Sequence, residues 1–222
     1  MKPKRIILVR HGQSQGNADR EVYKKTPSYA LKLTEKGREQ AIEAGNNIKT
    51  IINNGPMAIY YSPFFRAHET MDFAFKSLKD NPIYFNREEV RLREQERGSG
   101  VRGEFDDFNV DGEMEKYGTF YYRITRGESC ADVFDRMSDF LGTMHRDFEK
   151  PDFPENVLIF GHGMGNRLFI MRFFHHTVEE FETWGNPKNG ELYVMELQEN
   201  GKYKLLTELR KHEVKHQYKY KI

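Results

Sequence analysis

The stretch RIILVRHGQSQGN, residues 5–17, joins an unbroken apolar run to a polar loop. Ile6, Ile7, Leu8 and Val9 show no polar–apolar alternation. Such a run suits a strand covered on both faces, as in a parallel sheet. Arg10, His11 and Gly12 then end it abruptly. Ligands of open parallel sheets bind beyond the carboxyl ends of the strands. Residues 10–12 are therefore where chemistry is first expected.

Working outward, a loop is expected to run to about Leu33, followed by Thr34 as an N-cap. Ala41, Ala44, Ile48, Ile51 and Ile52 recur at helical spacing, and Asn53-Asn54-Gly55 stops that helix. Residues 57–61 read as a second strand, residues 64–78 as a helix with Pro63 near its start, and residues 83–85 as a third strand. Ser129 caps a helix whose apolar face is Cys130, Val133, Phe134, Met137, Phe140, Leu141, Met144 and Phe148. Residues 157–160 form a further buried strand, with the loop GHGMGN and a helix to about Phe174 behind it. Asn200-Gly201, between residues 191–197 and 203–209, marks a hairpin.

Alternating strands and helices predict the α/β class: a three-layer α/β/α sandwich around a mostly parallel sheet. One domain over residues 1–222 is expected, with a small irregular insertion at about 96–126 over the site. The 35 Lys and Arg against 34 Asp and Glu give no global field favouring nucleic acid or a membrane surface. The N-terminal apolar run is shorter than the about 7–15 residues of a signal-peptide core, and no stretch approaches the about 20 of a membrane span. A single cysteine allows no intrachain disulfide. The expectation is a soluble, cytoplasmic protein.

Strand order delivers four groups to one rim: Arg10 and His11, then Arg66, then Glu94, then His162. A neutral imidazole is a nucleophile towards phosphorus. Arg10 and Arg66 offer planar, permanently charged forks that match phosphate oxygens. They also oppose protonation of His11. His162 adds a donor, and Gly161 and Gly163 allow backbone amides near an anion. Glu94 is placed to give the leaving group its proton and then to act as base, with Glu88, Glu89 and Glu96 competing for the role. Singly, each has a bland alternative: a satisfied strand-end histidine, a surface ion-paired arginine, a solvated glutamate, a glycine turn. The convergence of all of them carries the argument.

LVRHGQSQGN, SPFFRAHET, RLREQERG, RGES and FGHGMGN together resemble the histidine phosphatase superfamily, with its phosphoglycerate-mutase-like fold. The resemblance covers nearly the whole chain. It implies a metal-independent phosphomonoester hydrolase acting on a small phosphorylated substrate, with no cofactor and a phosphohistidine at His11. It implies a phosphate pocket of Arg10, Arg66 and His162 and an acid at Glu94, with Ser14, Asn17 and the Gly163 amide contributing to binding. GNADREVYKKTPSYALKLTEKG is similar to the mutase-like broad-range acid phosphatases of plants and fungi, although Ser28 stands where an Asp is expected after Pro27. FYYRITRGES is also similar to sugar-bisphosphatase relatives. Cofactor-dependent mutases carry a Tyr where this chain has Arg97, and a longer insertion than the one between Glu94 and Glu128. A mutase is the first alternative, and a non-catalytic binding module the second.

Arg97, Arg102, Arg123 and Arg126 mix with Phe105, Phe108, Tyr121 and Tyr122. Arg102 and Arg123 are expected to grip the non-reacting part of the substrate. The alternative is that the aromatics seal the domain and the arginines pair with acids. His175-His176 and the i, i+4 pair His212 and His216 read as surface histidines, not metal ligands.

Overall fold

A computed structural model describes residues 2–98 and 110–212. Six strands form one sheet: β1 (Arg5–Arg10), β2 (Met57–Tyr61), β3 (Ile83–Glu88), β4 (Asn156–Gly161), β5 (Leu192–Leu197) and β6 (Tyr203–Leu205). Their order is β3-β2-β4-β1-β5-β6. The first four are parallel, and β5 and β6 add an antiparallel edge. The helices are α1 (Gln15–Ala18), α2 (Glu35–Ile52), α3 (Phe65–Leu78), α4 (Val110–Tyr117), α5 (Cys130–Phe148), α6 (Gly163–Phe174) and α7 (Val178–Glu182).

The continuous apolar run of β1 is divided between two cores. Ile6 and Leu8 face Val133, Met137 and Phe140 of α5 and Leu168 and Phe169 of α6. Ile7 and Val9 face Ala44 and Ile48 of α2 and Met71 and Ala74 of α3. Side chains of a strand alternate between faces, so a run apolar on both is what a middle layer requires. All four β1 residues are wholly buried. Each such side chain contributes about 1.5–3 kcal/mol relative to exposure.

Register brings the strand ends level. Arg10 pairs with Gly161, and Tyr61 with Phe160. The next residues continue the alignment: His11 N–H donates to the Gly161 carbonyl at 3.0 Å, and Ser62 N–H to the Phe160 carbonyl at 2.9 Å. His11, Ser62 and His162 therefore leave adjacent strands at the same height.

The sequence reading is corrected at three places. The third strand continues beyond Phe85 to Glu88. It is an edge strand, so Asn86, Arg87 and Glu88 stay exposed and leave no apolar signal. The insertion is not wholly irregular, because α4 forms within it and buries Met114. A polar eight-residue segment with few apolar positions hides that period. Finally α7, unexpected from apolar spacing, starts at a capping box between Thr177 and Glu180. That T-x-x-E signal was present in the sequence.

Candidate active site

His11 sits immediately beyond β1 and is almost entirely buried. Its Nδ1 lies 2.7 Å from the Gly12 carbonyl oxygen. A carbonyl only accepts, so Nδ1 carries the proton. At the other end, Arg66 Nε–H donates to Nε2 at 3.2 Å. Both bonds require the same tautomer, with the lone pair on Nε2. Burial, then the charges of Arg66 and Arg10, hold the His11 pKa well below the ordinary imidazole value. The ring is neutral at physiological pH, and the lone pair on Nε2 faces an arginine.

The loop shape depends on a backbone contact. A Cβ on Gly12 would lie 2.2 Å from the Gly37 carbonyl oxygen, and one on Gly37 would lie 2.1 Å from that of Gln13. The first turn of α2 can press against the His11 loop only because both residues lack side chains. Gly12 N–H donates to Thr70 Oγ1 at 3.0 Å, and Thr70 donates to the Arg66 carbonyl at 2.6 Å. Thr70 thus ties the His11 loop to the turn of α3 that carries Arg66.

Arg66 is buried, and its Nη1 donates to the Ser28 carbonyl at 2.6 Å. Arg10 donates through Nη1 to the Pro187 carbonyl, while its buried Nε has no partner among the described residues. A Cβ on Gly163 would stand 3.4 Å from that Nε, so the start of α6 approaches Arg10 closely. Burial lowers the pKa of Arg10, opposed by Glu94 and Glu191.

His162, the N-cap of α6, is fully buried. Its ring meets that of His11 edge-on, centroids 5.2 Å apart. Nε2 lies 2.8 Å from Ser62 Oγ, which also accepts the Phe64 N–H at 3.3 Å. Nδ1 has no hydrogen-bond partner among the described residues and lies 3.9 Å from Glu94 Oε2. Burial, Arg66 and His11 lead the causes that lower the His162 pKa well below normal. The Ser62 hydroxyl can donate to or accept from Nε2; in the tautomer where it donates, the proton stands on Nδ1, facing Glu94.

His11, Glu94 and His162 place one potential ligand atom each within 4.8 Å of one another. By distance alone this trio fits a cation. Two guanidinium charges stand beside it, and Nε2 of His11 already accepts from one. The Nε–H of Arg10, unpartnered among the described residues, adds a donor. The donor set fits an anion with several acceptor oxygens.

A model of the histidine phosphatase superfamily, branch 1, matches residues 6–209. The chain belongs to the histidine phosphatase superfamily. It is 39% identical over 222 residues to a phosphoglycerate mutase-like protein of Arabidopsis thaliana, covering 91% of this chain and 68% of the relative. It is 26% identical over 307 residues to a broad-range acid phosphatase of Saccharomyces cerevisiae, covering 95% of this chain and 90% of that one. The fold is shared with a mycobacterial glucosyl-3-phosphoglycerate phosphatase solved with VO3: TM-score 0.70, 20% identity, 95% of this chain and 100% of the other. The expected family and phosphoglycerate-mutase-like fold are both met.

Other positions in this histidine phosphatase take supporting places. Ser14 caps α1, and with Asn17 it forms a capping box: Asn17 N–H donates to Ser14 Oγ at 3.3 Å, Ser14 N–H to Asn17 Oδ1 at 3.1 Å. The Asn17 oxygen is committed, leaving its Nδ2 as the donor end. Asn189 donates to that oxygen at 3.0 Å and to the His11 carbonyl at 3.1 Å. Sequence reading gave no role to Ser62, Thr70, Asn189 or the Pro187 carbonyl, although Ser62 and Thr70 stand at the two ends of the SPFFRAHET segment and the NPKNG turn holds the other two.

Arg123 is held by Asp132 at 2.6 Å and by the Gly127 carbonyl, the ion pairing that the alternative expected. Arg102, and with it Phe105, Phe108 and His216, lies outside the described residues. Phe120 seals the domain against Phe134 and Phe181. His176 pairs with Glu180 at 3.1 Å, away from any cluster of metal-capable groups among the described residues.

Proposed function

We propose that this protein hydrolyses phosphomonoesters through a phosphohistidine on His11, without a metal ion, as a soluble cytoplasmic enzyme acting on a small phosphorylated substrate. The observation that carries the reading is the tautomer of His11, with its lone pair on Nε2 beside Arg66. Nε2 attacks phosphorus, the N–P bond forms, and the bond from phosphorus to the leaving oxygen breaks. Protonated Glu94 gives its proton to that oxygen. Arg10, Arg66 and Nδ1–H of His162 hold the equatorial oxygens as charge spreads over them. The Nδ1–H···O bond to Gly12 stays in place and steadies the positive ring of the phosphohistidine. Water then attacks phosphorus, ionised Glu94 takes its proton, and the N–P bond breaks to release phosphate and neutral His11. The family and the phosphatases among its relatives support this reading.

Phosphate release from a panel of sugar phosphates, nucleotides, phosphoglycerates and aryl phosphates tests it. Activity on at least one compound should survive EDTA and vanish in His11→Ala. Loss of activity in EDTA contradicts the metal-free reading.

One observation favours a second reading. A 2,3-bisphosphoglycerate-dependent phosphoglycerate mutase of Parvibaculum lavamentivorans is 30% identical over 216 residues. A mutase keeps its phosphoryl group and redelivers it. With 3-phosphoglycerate and a bisphosphoglycerate primer, fast 2-phosphoglycerate formation with little free phosphate selects the mutase. The hydrolase reading expects free phosphate instead.

A further inference from the structure

We propose that Arg136 is a positioning residue for proton transfer: with Glu128 it fixes the backbone on either side of Glu94 and thereby aims the Glu94 carboxyl at the leaving oxygen. This rests on the reading of Glu94 as the proton donor.

Arg136 projects from α5, and its side chain is only 9% exposed. A guanidinium has five N–H donors, and here all are used. Nε and Nη2 donate to the two oxygens of Glu128 at 3.0 and 2.9 Å, a bidentate pair. Nη1 donates to the carbonyls of Arg91 and Arg93 at 2.5 and 2.9 Å, and Nη2 also to the carbonyl of Glu94 at 3.3 Å. Glu128 completes the frame from the other direction. Its Oε2 accepts the Glu96 N–H at 3.0 Å, its carbonyl accepts from Gln95 Nε2 at 3.0 Å, and its N–H donates to the Glu96 carbonyl at 2.8 Å. Burial opposes ionisation of Glu128, but the Arg136 bond, the Glu96 amide and the charges of Arg136 and Arg93 outweigh it.

Glu94 is thus fixed by its neighbours, not by its own side chain. Among the described residues its carboxyl accepts only the adjacent Gln95 N–H, at 3.0 Å, and it stands 3.9 Å from His162 Nδ1. The carboxyl is left to meet substrate while the backbone and side chains around it, from Arg91 to Glu96, are held by Arg136 and Glu128. Docking of α5 does not need this arginine. The helix has its own capping box at Ser129 and buries Val133, Met137, Phe140 and Met144 almost completely. A general acid must lie within hydrogen-bond reach of the oxygen it protonates, and a misplacement of about 1 Å can cost about a hundredfold. Lysine offers no planar fork and cannot replace these five bonds.

The test is kcat/KM for Arg136→Lys, Glu94→Gln and the double variant. The substrates run from p-nitrophenyl phosphate, whose leaving group needs little proton help, to an alkyl phosphate, which needs it fully. Arg136→Lys should lower alkyl phosphate cleavage by about tenfold or more and aryl phosphate cleavage far less. In the Glu94→Gln background it should add little, and vanadate affinity should stay that of the wild type. Losses equal across leaving groups, losses that multiply with Glu94→Gln, or weakened vanadate binding would overturn the proposal. Glu128→Gln should reproduce the pattern and decides the matter if Arg136→Lys does not fold. A Glu94→Gln variant with undiminished alkyl phosphate cleavage would remove the acid reading itself, a result separate from failure of the Arg136 arm.

Discussion

The neutrality of His11 and His162 has a consequence for stability. Both pKa values lie well below that of a free imidazole, chiefly through burial and then through Arg66. The unfolded chain takes up these protons near pH 6.5, at about the free-imidazole value, and the folded chain does not. Stability from this source is therefore complete above about pH 6.5 and is lost as pH falls below it. The melting temperature should decline as pH is lowered from 7.5 to 5, and His162→Asn should decline less steeply. Parallel declines in variant and wild type would contradict the assignment. Residues of this kind were legible in the sequence because strand ends deliver them and their chemistry is mutually consistent. Ser62, Thr70 and Asn189 were not. Each acts through a long-range hydrogen bond, to partners 58 to 178 positions away, and a lone Ser, Thr or Asn in a sequence carries no signal of such a bond.

Two glycines within helices separate propensity from packing. Alanine is favoured over glycine by about 1 kcal/mol in a helix interior. Gly142, in α5, has only the far end of the Arg146 side chain within reach of a Cβ, at 3.6 Å. Gly142→Ala should raise the melting temperature by a few degrees. Gly37, in α2, would put a Cβ 2.1 Å from a backbone oxygen of the His11 loop. Overpacking of this sort costs about 1–3 kcal/mol, so Gly37→Ala should lower the melting temperature and reduce kcat/KM together. Calorimetry on the two variants checks both signs, and a stabilised Gly37→Ala would refute the contact. Buried elements such as β1, β4 and α5 were legible from apolar period. The far half of β3 was not, because an edge strand exposes its polar residues. Helices α4 and α7 bury too few side chains to show a period, and the cap at Thr177 was the one available clue.

The molecule as a whole concentrates its chemistry where parallel β1 and β4 end side by side. One sheet edge is antiparallel, yet the site strands keep the parallel order, so four chain segments far apart in sequence meet at one rim. That convergence was predictable because strand–helix alternation alone fixes which strand ends share a rim. The hydrogen-bonded frame behind Glu94 was not, since it pairs α5 with a loop through backbone carbonyls that no residue type announces. The central claim is that the phosphoryl group passes through Nε2 of His11. Rapid quenching of the enzyme with a labelled substrate in the first turnover tests this directly. Our account predicts acid-labile, base-stable phosphate on His11, absent from His11→Ala. Continued turnover with no labelled protein at any quench time, or label on another residue, would contradict it.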